Sequence, residues 1–228
     1  MTRNPSKNKQ RPYTIINCAM SLDGKIALPS GKPIKLSSLE DFKRVHELLN
    51  YCDAVLVGIN TVLMDDPKLT VKDEFVAKVK NPIRIILDTK GRTPQNALIL
   101  NGLAPTLIVM DKKYKAKGAK FKNAENAEVL YCATDSTGNI KLDELLIILK
   151  NRGIENLLVE GGETVIYNFL KNQLVDELYI YISNIIVGGT TGPTLAGGIG
   201  AKSMDDVIKL QLLSYERLGE GILLKFLV

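Results

Sequence analysis

The sequence has no tryptophan, one histidine and only three cysteines. Cys18, Cys52 and Cys132 are odd in number and widely spaced, which argues against a disulfide framework and favours a reducing compartment. A zinc site needs about four converging ligands, and a chain with one histidine and no Cys-x-x-Cys motif does not provide them. We therefore predict no metal centre. We expect the cysteines to be small buried hydrophobes and His46, beside Val45, to be a structural helix residue.

Long apolar runs are also missing. None reaches the length of a membrane span, and the start, MTRNPSKNKQRPY, has no apolar signal-peptide core. We therefore expect a cytoplasmic protein. Residues 1–12 carry part of the net charge of +5 and are predicted to be a disordered basic arm. No recognition-helix pattern follows the arm, so nucleic acid is not an expected partner, whereas the positive excess suits phosphorylated small molecules.

Several nucleotide and hydrolase motifs are absent. No strand is followed by G-x-G-x-x-G, and there is no Walker A loop, so a dinucleotide would have to bind in another way. The G-x-S-x-G elbow is missing, and a lone helical histidine makes a Ser-His-Asp triad implausible. The chemistry of a hydrolase is therefore not expected.

Strand-like and helical segments alternate over residues 13–228, which predicts a single α/β domain. The predicted sheet is mixed but mostly parallel, with helices on both faces. Helices are expected at 38–50, opened by a Ser37-x-x-Glu40 capping box, at 141–150 and at 163–171. Near the end, two adjacent strands flank Gly219-Glu220-Gly221, which predicts a C-terminal antiparallel hairpin. Strands are predicted at 13–19, 54–58, 83–88, 106–110, 128–131, 156–159, 177–182, 210–216 and 222–228.

The run LLVEGGETVIYNFL, residues 157–170, is the most informative stretch. An apolar strand breaks at Gly161-Gly162 and restarts as an amphipathic helix. The first amide groups of a helix have no internal partners, and glycines let an anion approach closely, so this turn is a candidate phosphate cradle to which Thr164 could add a hydroxyl. A glycine turn that only lets a helix pack on a sheet would look the same.

A second strand-to-helix turn lies in VLVGINTVLMDDPKLT, residues 55–70. The strand ends at Gly58, and Thr61 and Asp65 follow in the helical turn, where they could meet a phosphate or a ribose. The alternative is that Asp65 and Asp66 simply make the turn before Pro67.

Two further strand ends carry polar side chains. Ser21, Asp23 and Lys25 surround an Asp-Gly turn, which could line the mouth of the sheet or be an ordinary hairpin. In RIILDTKGRTP, residues 84–94, the buried strand ends at Asp88-Thr89, where ligands commonly bind in open α/β sheets.

Together, MSLDGKIA, VLVGINTVLMDDPKLTV, RIILD with RTP, LLVEGGETVIYNFL and DELYIYI resemble the riboflavin-biosynthesis reductases related to dihydrofolate reductase. The resemblance spans residues 13–228 and is nearest to the stand-alone archaeal and fungal type. The zinc deaminase of the bifunctional bacterial enzyme, with H-x-E and P-C-x-x-C, has no counterpart here.

The resemblance implies a dihydrofolate-reductase-like fold, a homodimer, and NADPH as hydride donor, with NADH possible. The implied reaction converts the phosphorylated ribosyl chain of a diamino-ribosylamino-pyrimidinone to a ribityl chain. The cofactor would contact Ala19, Gly58, Thr61, Asp65, Leu87, Thr89, Gly161, Gly162, Glu163 and Thr164. The substrate would lie near Ser21, Asp23, Leu69, Lys72 and Glu160.

Within this implied site, Asp23 and Glu160 are the candidate proton carriers, unless both only hydrogen-bond the substrate and water supplies the proton. Lys72 is the candidate phosphate partner. Relatives often have an arginine where this chain has Leu49, and Lys35, Lys43, Arg44 or Lys72 could take its place.

Three alternatives stay open. The substrate could be the deaminated pyrimidine, or a pterin or folate, or the protein could be a regulatory module that binds NADPH without turning it over. The cation that would meet a 2′-phosphate is expected among Lys90, Arg92 and residues 112–115.

Overall fold

The computed structural model describes residues 10–228. Most of the predicted basic arm therefore lies outside the described residues. At its end, Arg11 donates from Nη1 and Nη2 to the two carboxylate oxygens of Asp176, at 2.6 and 3.1 Å. The chain is thus attached to the sheet from this point onward.

Residues 10–228 contain nine strands and five α-helices, and an α-helix separates most of the strands as far as the seventh strand. The strands are β1 (Tyr13–Met20), β2 (Ala54–Gly58), β3 (Ile83–Leu87), β4 (Thr106–Asp111), β5 (Ala127–Cys132), β6 (Asn156–Gly161), β7 (Glu177–Ile182), β8 (Gln211–Leu218) and β9 (Gly221–Leu227). The helices are α1 (Leu39–Tyr51), α2 (Ile59–Asp65), α3 (Lys115–Gly118), α4 (Leu142–Asn151) and α5 (Glu163–Lys171). The predicted strands agree with these bounds to within two residues.

All nine strands form one sheet in the order β5-β4-β3-β2-β6-β1-β7-β9-β8. Neighbours from β5 to β7 are parallel, whereas β9 pairs antiparallel with β7 and with β8. The predicted mixed, mostly parallel sheet with a C-terminal hairpin is therefore confirmed. The sequence pattern did not reveal that the second strand of the hairpin lies inside and the first forms the sheet edge.

Helices cover both faces because each strand carries apolar residues on both sides. The largest core cluster joins alternate residues of the strands, such as Ile16 and Leu56, to the apolar faces of α4 and α5. Two smaller clusters pack the opposite face against α1 and α2, with Leu49 and Val62 buried there. This burial on both sides is what a mostly parallel sheet requires.

Helix α1 begins one residue later than predicted. Its N-cap is Ser38, whose hydroxyl accepts a hydrogen bond from the backbone N–H of Asp41 at 3.2 Å. The predicted Ser37-x-x-Glu40 box is therefore wrong. Two consecutive serines, each followed three residues later by an acid, offer the same spacing, and only the backbone path decides between them.

The rare residues are structural. All three cysteines are buried and free. His46 is buried, stacks on Phe75 with ring centroids 5.3 Å apart, and accepts a hydrogen bond at Nδ1 from the backbone N–H of Lys72. Across residues 10–228, no helix is long and apolar enough to cross a membrane.

Candidate active site

A cleft of about 990 Å³ runs along the carboxyl ends of the parallel strands. Residues from the ends of β1, β2, β3 and β6 line it, and so does the start of α5. Because ligands of open α/β sheets bind outside the carboxyl ends of the strands, this is the expected place for a site. A second hollow, of about 1150 Å³, lies beside Arg11 and the C-terminal residues, and none of the predicted site residues lines it.

The Gly161-Gly162 turn forms part of the cleft wall. As predicted, β6 ends at Gly161 and α5 begins after Gly162, its N-cap. Gly161 has φ +104°, a conformation that favours glycine. A Cβ on Gly162 would lie 3.6 Å from Thr61 Oγ1, so a side chain there would occupy the space between the two loops without a backbone clash. The start of α5 is thus open to an anion.

Glu160 occupies a bulge of β6 next to this turn. Leu56 pairs with Val159 and Val57 with Gly161, so Glu160 is the extra residue between the two pairs. A bulge redirects a side chain relative to regular pairing, and the Glu160 side chain lines the cleft. Burial raises the pKa of its carboxyl group to about 7. The charge of Arg44 opposes this rise, whereas the charge of Asp41 adds to it. Glu160 can therefore hold a proton near neutral pH.

Arg44 lies in a charged cluster behind Glu160. Its Nε and Nη2 donate to Oδ1 of Asp41, and Nη2 also donates to Oδ1 of Asn17 at 2.7 Å. Asn17 itself lines the cleft. The sequence suggested Arg44 only as a substitute phosphate partner, and it did not reveal Asp41 or Asn17, because their contact depends on how α1 packs across β1.

Most of the predicted cofactor residues meet in the cleft. Nine of the ten line it, although they come from four separate segments: Ala19, Gly58, Thr61, Asp65, Leu87, Thr89, Gly162, Glu163 and Thr164. Gly161 is buried behind them. Glu163 also accepts a hydrogen bond at Oε2 from the backbone N–H of Thr194, at 2.9 Å, and so ties the following glycine-rich loop to the start of α5.

Asp23 and Ser21 do not line the cleft. Asp23 accepts hydrogen bonds from the Ser21 hydroxyl and from the backbone N–H groups of Val187 and Gly188, at 2.7, 3.0 and 2.7 Å. These bonds favour the carboxylate and lower the pKa of Asp23 to about 2. Both carboxylate oxygens of Asp23 thus accept hydrogen bonds that join two loops, and its role as a proton carrier stays a prediction. Ser21 is fully buried and also accepts from the N–H of Lys25.

The other predicted substrate residues lie beside the cleft rather than in its wall. Leu69 packs against the core near α1 and has φ +49°. Lys72 is exposed, with Nζ 4.7 Å from the centre of the Phe42 ring, and Phe42 lines the cleft. A lysine ammonium at the mouth of a cleft can still reach a bound phosphate. Leu49 is buried, so its position on α1 faces the core.

The paired aspartates after α2 have separate roles. Asp65 lines the cleft. Asp66 has a left-handed backbone, φ +41°, and its carboxylate accepts a hydrogen bond from the N–H of Leu98 at 2.8 Å. Both sequence interpretations are therefore supported, each for one aspartate. Asp88 is likewise structural, since it is fully buried and accepts from Thr93, whereas the adjacent Thr89 lines the cleft.

Some of the cleft wall was not predicted from the sequence. The loop between β5 and α4 contributes Thr137, Gly138 and Asn139, and Tyr114 lies nearby. The Asp135-Ser-Thr-Gly-Asn stretch has turn chemistry, with Asp135 accepting from the backbone N–H groups of residues 137 and 139. That signal locates a turn but not the cleft below it. Lys90, Arg92 and Lys113 line the same region.

Residues 10–228 contain no group of three or more histidine, cysteine, aspartate or glutamate side chains arranged to hold a metal ion.

Comparison with known proteins gives a consistent result. The chain matches the family described as RibD C-terminal domain over residues 12–224. It is 43% identical over 219 residues to the 2,5-diamino-6-ribosylamino-4(3H)-pyrimidinone 5′-phosphate reductase of Methanothermobacter thermautotrophicus, which covers 96% of this chain and 99% of that protein. The protein of the same name from Archaeoglobus fulgidus is 37% identical and covers 92% of this chain and 95% of its own length.

A solved structure shows the same fold. Acinetobacter baumannii RibD superposes with a TM-score of 0.81 at 26% sequence identity, over 97% of this chain and 59% of that one. The chain thus spans somewhat more than half of that longer protein.

Proposed function

The chain belongs to the RibD C-terminal domain family, and on that premise we propose that it is an NADPH-dependent reductase of riboflavin biosynthesis. Its proposed substrate is 2,5-diamino-6-ribosylamino-4(3H)-pyrimidinone 5′-phosphate, the compound in the names of the relatives. The ribosyl chain is reduced to a ribityl chain. The structural observation that carries the reaction class is one cleft in which the carboxyl group of Glu160 lies directly before the open start of α5, so that an acid and an anion site are adjacent.

The residues of the cleft fit a dinucleotide. The start of α5 offers free backbone N–H groups and the positive end of the helix dipole to a pyrophosphate, and Gly162 leaves room for it. Thr61 and Thr164 add hydroxyl groups on either side. When bound there, the nicotinamide cofactor would supply the hydride.

The preference for NADPH over NADH rests on the basic end of the cleft. Lys90, Arg92 and Lys113 line that end and can meet an additional phosphate. Arg92 Nη2 donates to Asn60 Oδ1 at 3.0 Å, which orients the guanidinium, whereas Lys113 is already paired with Asp111 at 2.9 Å. We therefore assign the 2′-phosphate to Lys90 and Arg92, while NADH would lack this contact.

Glu160 is the proposed proton donor. A carboxyl group that retains its proton near pH 7 can release it as the carbonyl or imine carbon of the opened sugar receives a hydride. The protein's other task is positioning, since holding two reactants in contact is by itself a large part of catalysis. If Glu160 only hydrogen-bonds the substrate, water would deliver the proton and the loss of Glu160 would weaken binding instead.

Lys72 is the proposed partner of the substrate phosphate. Its ammonium group lies over Phe42 at the mouth of the cleft. Ser21, Asp23 and Leu69 support the loops around the cleft, so we propose an indirect role for them in substrate binding. We also place the enzyme in the cytoplasm, because three free cysteines suit a reducing compartment.

A homodimer is proposed from the exposed edge of the sheet. Residues 211–217 of the edge strand β8 are all exposed. Leu212, Leu213 and Tyr215 are 50%, 42% and 74% exposed, and Ile222 of β9 is 47% exposed. A long apolar edge strand is a ready template for pairing with another chain, and a second copy would cover it.

The first test mixes the purified protein with NADPH and follows nicotinamide absorbance with three substrates in parallel: the diamino compound, its deaminated counterpart and dihydrofolate. We expect consumption with the diamino compound. Preference for one of the other substrates would identify that reductase activity instead. No consumption with any of them, despite NADPH binding by calorimetry, would support the regulatory module.

A further inference from the structure

The charged cluster of Asp41 and Arg44 on α1 contains buried polar atoms without a hydrogen-bond partner in the described part of the chain. The Asp41 side chain is 1% exposed and that of Arg44 is 16% exposed. Oδ2 of Asp41 and Nη1 of Arg44 are both buried and have no hydrogen-bond partner among the described residues. An ion pair buried to this extent costs desolvation energy, and such pairs are weak evidence for a purely stabilising role.

The cluster reaches the cleft through Asn17. Ile16 and Val159 are the last pair of the β1–β6 ladder, Asn17 and Glu160 are the next residues of the two strands, and both line the cleft. Arg44 has only donors, and it therefore requires the carbonyl oxygen of Asn17 to face it. The amide group of Asn17 is then held with its NH₂ turned away from Arg44.

We propose that Arg44 is a positioning residue for Glu160: clamped by Asp41, it fixes the Asn17 amide beside Glu160 and places a permanent positive charge behind that carboxyl group. This inference rests on the proposed function, in which Glu160 donates a proton. It assigns Arg44 a different role from that of a phosphate partner. Its Nε and Nη2 are occupied by Asp41 and Asn17, and the side chain is largely buried.

The charges around Glu160 set the direction of the effect. Burial raises the pKa of Glu160, Arg44 lowers it and Asp41 raises it. Removing the arginine charge leaves an unpaired Asp41, so both changes raise the pKa of Glu160 further. Of the other titratable groups, Cys18 of β1 and Cys52 after α1 interact with Glu160, Asp65 of α2 and Glu163 of α5 line the same cleft, and Tyr179 of β7 interacts with Arg44.

The test compares the pH dependence of kcat in the wild type, Arg44→Gln and Arg44→Lys. Because the donor must be protonated, activity falls on the alkaline side. In Arg44→Gln we expect this limb to move upward by about one pH unit, as for loss of a close opposite charge. Arg44→Lys keeps the positive charge, so its alkaline limb should move by no more than about half a pH unit. Glu47→Gln, an exposed residue of the same helix, is the control for a change of charge on α1.

A kinetic outcome can overturn the proposal. If Arg44→Gln raises the KM for the phosphorylated substrate and leaves the alkaline limb in place, Arg44 is a phosphate partner and not a positioning residue. If Arg44→Gln does not fold, Asp41→Asn with Arg44→Gln removes both charges. That double variant should show a smaller upward shift, because the opposing effect of Asp41 is also lost.

A second measurement does not depend on turnover. Carboxyl ¹³C NMR of glutamate-labelled protein follows the titration of Glu160 directly, with its signal assigned by its loss in Glu160→Gln. We expect the Glu160 midpoint to rise in Arg44→Gln. Identical midpoints would overturn the proposal. A shifted midpoint in a protein that reduces none of the three substrates would leave the link between Arg44 and Glu160 intact and remove the proposed function instead.

Discussion

At the scale of single residues, Glu160 has the environment that acid catalysis requires. It lies in a cleft, and burial raises its pKa to about 7, whereas the same side chain at the surface would be ionised at that pH. Asp23, the other predicted proton carrier, has a lowered pKa because its carboxylate accepts hydrogen bonds from the Ser21 hydroxyl and from the backbone of a second loop. The pKa values of these two carboxyl groups thus differ because their surroundings differ, by burial at Glu160 and by hydrogen bonds at Asp23.

Glu160→Gln should reduce kcat by at least about 100-fold, which is the usual contribution of a positioned general acid, and leave NADPH affinity within about twofold. In the wild type, kcat should fall as the pH rises through about 7, because Glu160 then loses its proton. Steady-state kinetics across pH and calorimetry with NADPH check both statements. Glu155→Gln, an exposed residue beside the other end of β6, is the matched control. Unchanged kcat in Glu160→Gln would assign the proton to water.

Arg84 has a structural role at the same scale. It is fully buried on β3 and donates to the carbonyl oxygens of Lys68 and Ala104 and to the side chain of Asn101. Arg84→Met removes the donor for several acceptors at once, so we expect the free energy of unfolding to fall by about 3 kcal/mol. Arg152→Met breaks a surface pair with Glu128 and should cost no more than about 1 kcal/mol. Urea denaturation of both variants tests the difference, and equal losses would contradict it.

At the scale of elements, the site depends on one strand and the helix that follows it. The bulge of β6 directs Glu160 to the cleft, and the Gly161-Gly162 turn exposes the start of α5 in the same place. The proposed proton donor and the proposed anion site are therefore carried by adjacent residues. Their relative position does not depend on a flexible loop.

Gly162→Ala tests the anion site. Gly162 has φ −72°, which alanine adopts freely, and the new Cβ would lie at ordinary contact distance from Thr61. We expect the melting temperature to change by less than about 3 °C, whereas NADPH affinity should fall about tenfold or more because the methyl group occupies the cradle. Gly162→Val should reduce the affinity further. Wild-type NADPH affinity in both variants, measured by calorimetry, would remove the pyrophosphate from this turn.

At the scale of the whole molecule, the C-terminal hairpin leaves one edge of the sheet, strand β8, without a further strand beside it within residues 10–228. Strand β8 is an exposed apolar edge, although strand β9 beside it is partly covered. Strand β8 has a bulge between Leu212 and Ser214 and the charges of Glu216 and Arg217, but its exposed apolar side chains remain a patch that a second copy would cover. We expect the wild type to be a dimer of about twice the 25.1 kDa chain mass in light scattering.

Leu213→Asp with Tyr215→Asp should convert that dimer to a monomer at micromolar concentration, because charges would replace two exposed apolar side chains. The circular dichroism spectrum should be retained, since neither residue is buried. Lys209→Asp, an exposed residue just before β8, is the control for added negative charge. A wild-type monomer, or a double variant that stays dimeric, would contradict the proposed interface.

Much of the fold was readable because its signals are local. Apolar periodicity and turn residues act between neighbours in the chain, so the strands, the hairpin and the break at Gly161-Gly162 were all predicted. The resemblance to known reductases predicted ten cofactor contacts, and the structure brings nine of these residues into one cleft. The first residue of α1 was missed, because two serines offered the same cap.

The sequence by itself therefore determined the strands, the three longer helices and the residues at the strand ends. Only the tertiary structure decided what those residues do. The bulge that redirects Glu160, the cluster that joins Arg44 to Asn17 and the bonds that occupy Asp23 all link segments far apart in the chain. Such contacts follow from strand register and helix packing, and they set the pKa of each group, by burial for Glu160 and by hydrogen bonds for Asp23.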